Sequence, residues 1–232
     1  MFEREAHHRV AEVLQTLDSE RLAQHGFLFG GGTRIVLELG EYRLSEDIDF
    51  LCSDASGYAD LRLLVAEQGF AALFRAEDLS RFKFPREIRI DQYGLRFPLV
   101  VDGHSIKVEM IREGRIDLDG GLRPWWSPVD CLSASDCFAE KLLANSDRWP
   151  DKQVLSRALI DLAALRHRHG PIPEEAWRKA EAAYKGAVRS DLRRSAEAFL
   201  ENGDYRKRCF AGLSVSDGDL ILGGVSELLA KG

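Results

Sequence analysis

The chain has 232 residues, 45% of them apolar and 30% charged, which is enough for one large domain or two small ones sharing a core without disulfide or metal staples. Its net charge of −6 argues against a general nucleic-acid binder, whose phosphate contacts need a basic footprint, although residues 157 to 208 hold 12 Lys/Arg against 8 Asp/Glu. Solvated helix faces account for that excess, and a groove for an anionic acceptor is the other reading. The first residues, MFEREAHHRVAEVL, carry both charge signs and no apolar run of signal-peptide or membrane-span length, so a cytoplasmic protein without membrane contact is expected. The four cysteines form no C-x-x-C pair and read as reduced, packed residues.

From Glu3 to about Gln24 the apolar positions Val10, Val13, Leu14, Leu17 and Leu22 recur at helical spacing, and the helix is expected to end near Gly26. Phe27-Leu28-Phe29 is a short apolar strand running into Gly30-Gly31-Gly32. The stretch TRIVLELG that follows reads as a helix capped by Thr33 and stopped at Gly40. Asp47 to Cys52 alternates polar and apolar, like a strand with one buried face, and Tyr58 to Gln68 is amphipathic. Between Phe84 and Ile116 the pieces REIRI, LRFPLVV and SIKVEMI form a β-meander with a turn at Asp102-Gly103. After Ser133 nearly everything is helical, with breaks at Gly170-Pro171, Gly203 and Gly218. The expected division is an α/β domain over 1–125 and a helical domain over 126–232 that completes the active-site cleft.

Asp47 and Asp49 stand at i and i+2 on a strand, so their carboxylates share a face a few ångström apart. Such a pair repels itself unless cations lie between, as in a two-metal site. The preceding FLFGGGT is a strand, glycine turn and helix start, whose exposed backbone N–H groups and helix dipole suit a phosphate; a turn that binds nothing is the other reading. A third acid, Glu109, shares its strand face with Lys107 and Ile111. It calls for a metal or a basic partner, and a salt bridge to Lys107 is the plainer choice.

The run GGTRIVLELGEYRLSEDIDFL resembles the first motif of the AbiEii/AbiGii-type nucleotidyltransferases, toxins within the DNA polymerase β-like nucleotidyltransferase superfamily; Gly31, Gly32, Thr33, Arg43, Ser45, Asp47 and Asp49 match. IKVEMI resembles the second motif and places the third acid at Glu109. DCFAEKLLANSDRW resembles the third, with Asp136, Lys141 and Arg148 in register. SRALIDLAAL resembles the fourth, matching at Arg157 and Asp161, with Ala158 where an Asp is common. The four motifs run in order from Phe29 to Leu165.

The resemblance implies an α+β fold, a nucleotidyltransferase-like mixed sheet flanked by helices with an all-helical C-terminal half. It implies transfer of a nucleoside monophosphate from an NTP to an acceptor, tRNA or another RNA, by a toxin with a cognate antitoxin. Two Mg²⁺ ions on Asp47, Asp49 and Glu109 would act with Lys141 and Asp161 as the catalytic set. Gly31, Gly32, Thr33, Arg43, Ser45, Lys141 and Arg148 would bind the nucleotide, and Asp161 would steady Lys141. Read from the residues alone, Arg157 and Asp161 are an i, i+4 pair suited to an intrahelical salt bridge. A small-molecule or protein acceptor, and an NTP-binding module without turnover, stay open. Among other groups, the histidines lack metal-site spacing and are expected at the surface. Trp125 and Trp126 suggest a hydrophobic hinge between the halves. Phe82 and Phe84, among Arg81, Lys83, Arg86 and Arg89, suggest either a strip for single-stranded nucleic acid or protection of a sheet edge.

Overall fold

In the computed structural model, which describes residues 2 to 230, the expected first helix is two. Helix α1 (Glu5–Thr16) buries Val10, Val13 and Leu14. The chain then extends at Leu17, which bridges to Phe74, and restarts as α2 (Ser19–Gln24) because the Asp18 carboxylate accepts from the Arg21 N–H at 3.0 Å. A good N-cap within an apolar-periodic run thus splits it. Strand β1 (Leu28–Gly30) leads into α3 (Gly31–Glu38), which starts at Gly31 and not after Thr33, so Thr33 lies buried in the first turn and is not its cap. Strand β2 (Ile48–Cys52) begins one residue after Asp47, and α4 (Ala55–Gln68) starts earlier than its apolar pattern because Asp54 caps it. Strands β3 (Arg89–Ile90), β4 (Gly94–Val101) and β5 (His104–Arg112) are the meander; Asp102 and Gly103 turn it with φ of 48° and 78°, as a tight hairpin requires.

The strands form one mixed sheet in the order β1-β2-β5-β4-β3, with β2 and β5 parallel and the other pairs antiparallel. Ile48, Phe50, Leu95, Phe97, Leu99, Ile106, Val108 and Met110 fill its core face. Phe82 is buried, and the half-buried Phe84 stacks on Phe70 at 3.8 Å beside the buried Phe74 and Phe97, so its ring is already engaged within the protein.

Helices α5 (Ala134–Arg148), α6 (Arg157–His169), α7 (Glu174–Tyr184), α8 (Ala187–Glu201), α9 (Gly203–Gly212) and α10 (Gly218–Leu229) follow. The fold class is therefore α+β as expected. The chain divides into two units, one of residues 1–34 and 46–133, the other of 35–45 and 134–232. This boundary lies eight residues beyond the expected 125, and a strap of 11 residues upstream of Asp47 groups with the helices. Within the helical unit the backbone of Gly224 in α10 presses on Ala163 of α6, where an added Cβ would overlap the Ala163 carbonyl.

The four cysteines are buried and form no disulfide, and burial pushes the Cys52 thiol up to about 11. Trp125 is 90% exposed and so is no buried hinge, while Trp126 meets Phe2 edge-on. His7 is fully buried in α1, against the expectation of a surface residue. Among the described residues no helix is long and apolar enough to cross a membrane.

Candidate active site

On the sheet face opposite the core, strand register lines up a row of candidate residues. Gly30 pairs with Asp49, Asp49 with Glu109, Glu109 with Arg96 and Arg96 with Arg89. Because laterally paired residues share a face, this row crosses all five strands. The parallel register of β2 and β5 thus brings together two carboxylates 60 positions apart in sequence, with Asp47 just before the strand. Glu109 is half-buried and doubly paired. Lys107 Nζ donates to its Oε2 at 2.6 Å, and Arg96 Nε lies 3.2 Å from its Oε1. Arg96 is itself held by Asp91, Nη1 to Oδ2 at 3.0 Å. The Asp91 carboxyl is kept low by N–H donation from Tyr93, with Arg96 and the Gly94 N–H adding to it, against a smaller rise from burial.

The glycine turn adjoins this row. Gly30 has no room for a side chain, since a Cβ would come within 2.5 Å of Leu51 and 2.7 Å of Leu132. Gly31 adopts φ +69°, and a Cβ there would fall inside the van der Waals envelope of Asp49 Oδ2. The main chain that opens α3 therefore lies directly against a carboxylate. A helix start suits an anion, an adjoining carboxylate repels one, and a cation between the two reconciles them.

In the helical unit the motif residues form a buried network. Asp161 is fully buried and accepts from Tyr42 Oη (2.7 Å), Arg43 Nε (2.7 Å) and Nη2 (2.9 Å), with Lys141 Nζ 2.7 Å away. Burial would raise its pKa, but the Arg43 guanidinium and the Lys141 ammonium outweigh it and hold the carboxyl at about 2. Burial and Asp161 together push the Tyr42 phenol well above its ordinary range. The strap is also tied by its backbone, Leu44 N–H to Leu213 O and Ser216 N–H to Tyr42 O, at 2.8 and 2.9 Å. A second buried pair joins Asp136 of α5 to Lys179 of α7 at 2.6 Å.

Lys141 and Asp161 are thus brought together with Arg43, and the charges of Arg43 and Lys141 meet on Asp161. The intrahelical Arg157–Asp161 bridge does not form, because Asp161 faces this network while Arg157 points to solvent. Arg148 is exposed at the end of α5. Two residues escaped the sequence reading. Arg96 had a usable signal as the one charged side chain in the apolar strand LRFPLVV, whereas nothing local marked Tyr42, whose partner is 119 positions away.

The family model described as "Nucleotidyl transferase AbiEii toxin, Type IV TA system" matches residues 12–211. The chain belongs to this family. It is, by that membership, a nucleotidyltransferase toxin of a type IV toxin–antitoxin system. No curated protein matches. Among solved structures, JHP933 from Helicobacter pylori shares 16% identity at a TM-score of 0.56, over 98% of this chain and 90% of that one, and so shows the same fold. A second H. pylori protein, assigned as a candidate nucleotidyltransferase, shares 15% identity at a TM-score of 0.45 over 97% of each chain. An antigenic nucleotidyltransferase-like protein from Paracoccidioides brasiliensis shares 13% at 0.41, over 91% and 96%.

As the side chains stand, no three of the described His, Cys, Asp and Glu residues gather closely enough to hold a metal ion. Lys107 and Arg96 occupy both oxygens of Glu109. The donor set of this AbiEii family member still fits a hard divalent cation. It offers only carboxylate oxygens, two of them register neighbours.

Proposed function

We propose that the chain transfers a nucleoside monophosphate from an NTP to a hydroxyl of an RNA, tRNA included, in the cytoplasm, as a toxin restrained by a cognate antitoxin during abortive infection. The observation that carries this reading is the contact of the glycine turn with Asp49, itself in register with Glu109. Asp47 and Asp49, with Glu109, would hold Mg²⁺. When bound, the metal would neutralise the triphosphate and lower the pKa of the acceptor hydroxyl. Backbone N–H groups of Gly31, Gly32 and Thr33 at the start of α3 would face the phosphates. The acceptor oxygen bonds to the α-phosphorus, the bridging P–O bond breaks, and pyrophosphate leaves with that electron pair while the hydroxyl proton is released. The enzyme's part is positioning and electrostatics. Arg43, Lys141 and Asp161 serve this reading as an anchor, fixing the strap that runs through Ser45 toward Asp47, and Arg148 remains a solvent-facing cation for phosphate.

The test incubates the purified protein with each of the four α-labelled NTPs, Mg²⁺ and total bacterial RNA, beside Asp47→Asn and Asp49→Asn proteins. Label in RNA with the wild type alone is the expected result and names the nucleotide. Label in a small molecule or a protein instead would replace the acceptor, and NTP binding without transfer would overturn the enzymatic reading.

A further inference from the structure

Glu109 presents a conflict that the proposed function leaves unresolved: a carboxylate wanted as a metal ligand has both oxygens engaged by cations. The two cations differ in how firmly they are held. Arg96 is gripped from its far side by Asp91, whose other oxygen is fixed by the Tyr93 and Gly94 N–H groups at 2.8 and 3.0 Å, and Arg96 is mostly covered. Lys107 sits two residues before Glu109 on the same strand face, its side chain is 55% exposed, and among the described residues its one ion pair is with Glu109. A flexible, solvent-facing ammonium leaves a carboxylate at small cost, whereas a guanidinium clamped between two carboxylates does not.

We propose that Lys107 is a built-in counter-ion, occupying on Glu109 Oε2 the place of a divalent cation and displaced into solvent when that cation arrives, while Arg96 stays and keeps Glu109 in line with Asp49. This rests on the metal-dependent reading of the site. Lys107 stabilises the metal-free acidic row and sets a threshold for metal uptake. Metal loading thereby becomes an exchange of one cation for another, and the row never carries unbalanced charge.

The experiment is a titration of the full chain with Mn²⁺ alone, by calorimetry or by the paramagnetic resonance of free Mn²⁺, on wild type, Lys107→Met, Glu109→Gln and the double variant. An exposed ion pair that must break before binding weakens it by about two- to fivefold, so Lys107→Met binds Mn²⁺ tighter by that factor. In the Glu109→Gln background the same substitution has no effect, because nothing remains to compete for. Equal tightening in both backgrounds would mean a general charge effect and overturn the proposal, as would no tightening in either. Asp49→Asn separates this from the wider reading. If the wild type binds Mn²⁺ and Asp49→Asn does not, a silent Lys107→Met sinks the counter-ion role alone. If the wild type binds no Mn²⁺, both fall.

Discussion

Replacing Asp161 by Asn tests what the buried network contributes. The carboxylate is fully buried and accepts three hydrogen bonds from Tyr42 and Arg43, with Lys141 beside it. An amide of the same shape removes the negative charge, leaves Arg43 and Lys141 uncompensated in the interior, and turns an N–H toward one of the former donors. Breaking a buried ion pair from one side costs about 3–5 kcal/mol. For a chain of this size each kcal/mol lowers Tm by roughly 2–4 °C, so a fall of about 6–20 °C is expected. Urea titration and thermal unfolding, both followed by helical circular dichroism, measure it. A loss below about 1 kcal/mol would refute the reasoning, since it would mean that water or rearrangement satisfies the two cations. Replacing Arg43 and Lys141 by Met together with Asp161→Leu should recover much of the loss, because an apolar cluster of similar volume carries no desolvation penalty.

Acid dependence follows from the same group. The Asp161 pKa is lowered in the fold from 3.8 to about 2, so its contribution is complete above pH 4 and is lost as pH falls toward 2. That contribution is about 2 kcal/mol, and the stability gap between wild type and Asp161→Asn should narrow within this window in acid titrations of Tm. Gly31→Ala forces a left-handed backbone on a residue with a Cβ, about 1–2 kcal/mol, and displaces the Asp49 carboxylate. Nucleotidyl transfer should drop more than tenfold while the helical circular dichroism stays native. Gly224→Ala pushes α10 away from the Ala163 carbonyl of α6 and should cost about 1–3 kcal/mol in urea unfolding, with the Mn²⁺ affinity unchanged.

Local chemistry made the fold class and much of the element order readable. The β4–β5 hairpin followed from Asp102-Gly103, whose positive φ values such a turn demands, and the packed cysteines followed from the absence of a C-x-x-C pair. The split at Leu17 was hidden because an uninterrupted apolar period masks a single capping Asp. In the site, the turn at Gly31 and the strand at Asp49 were visible. The lateral registry of Asp49 with Glu109 was not, because a parallel pairing depends on the whole sheet and not on its neighbours in sequence. The destination of Asp161 was hidden for the same reason. A helical i, i+4 partner was in plain view at Arg157, while the partner chosen, Arg43, lies 118 positions upstream, where periodicity carries no information.

That separation has a consequence for biosynthesis. Arg43 leaves the ribosome long before Asp161 is made; at about 5–20 residues per second the interval is roughly 6–24 s. The strands of the sheet are complete by Arg112, so the sheet can form on the nascent chain while the strap of residues 35–45 still lacks its partner. Asp47 is thus present early, but the segment that leads into it is pinned only after the helices have emerged. Under the proposed function, activity waits on the last third of translation, and a fragment spanning 134–232 would keep Lys141 but lack Arg43 and Tyr42, two of the three partners of its central acid.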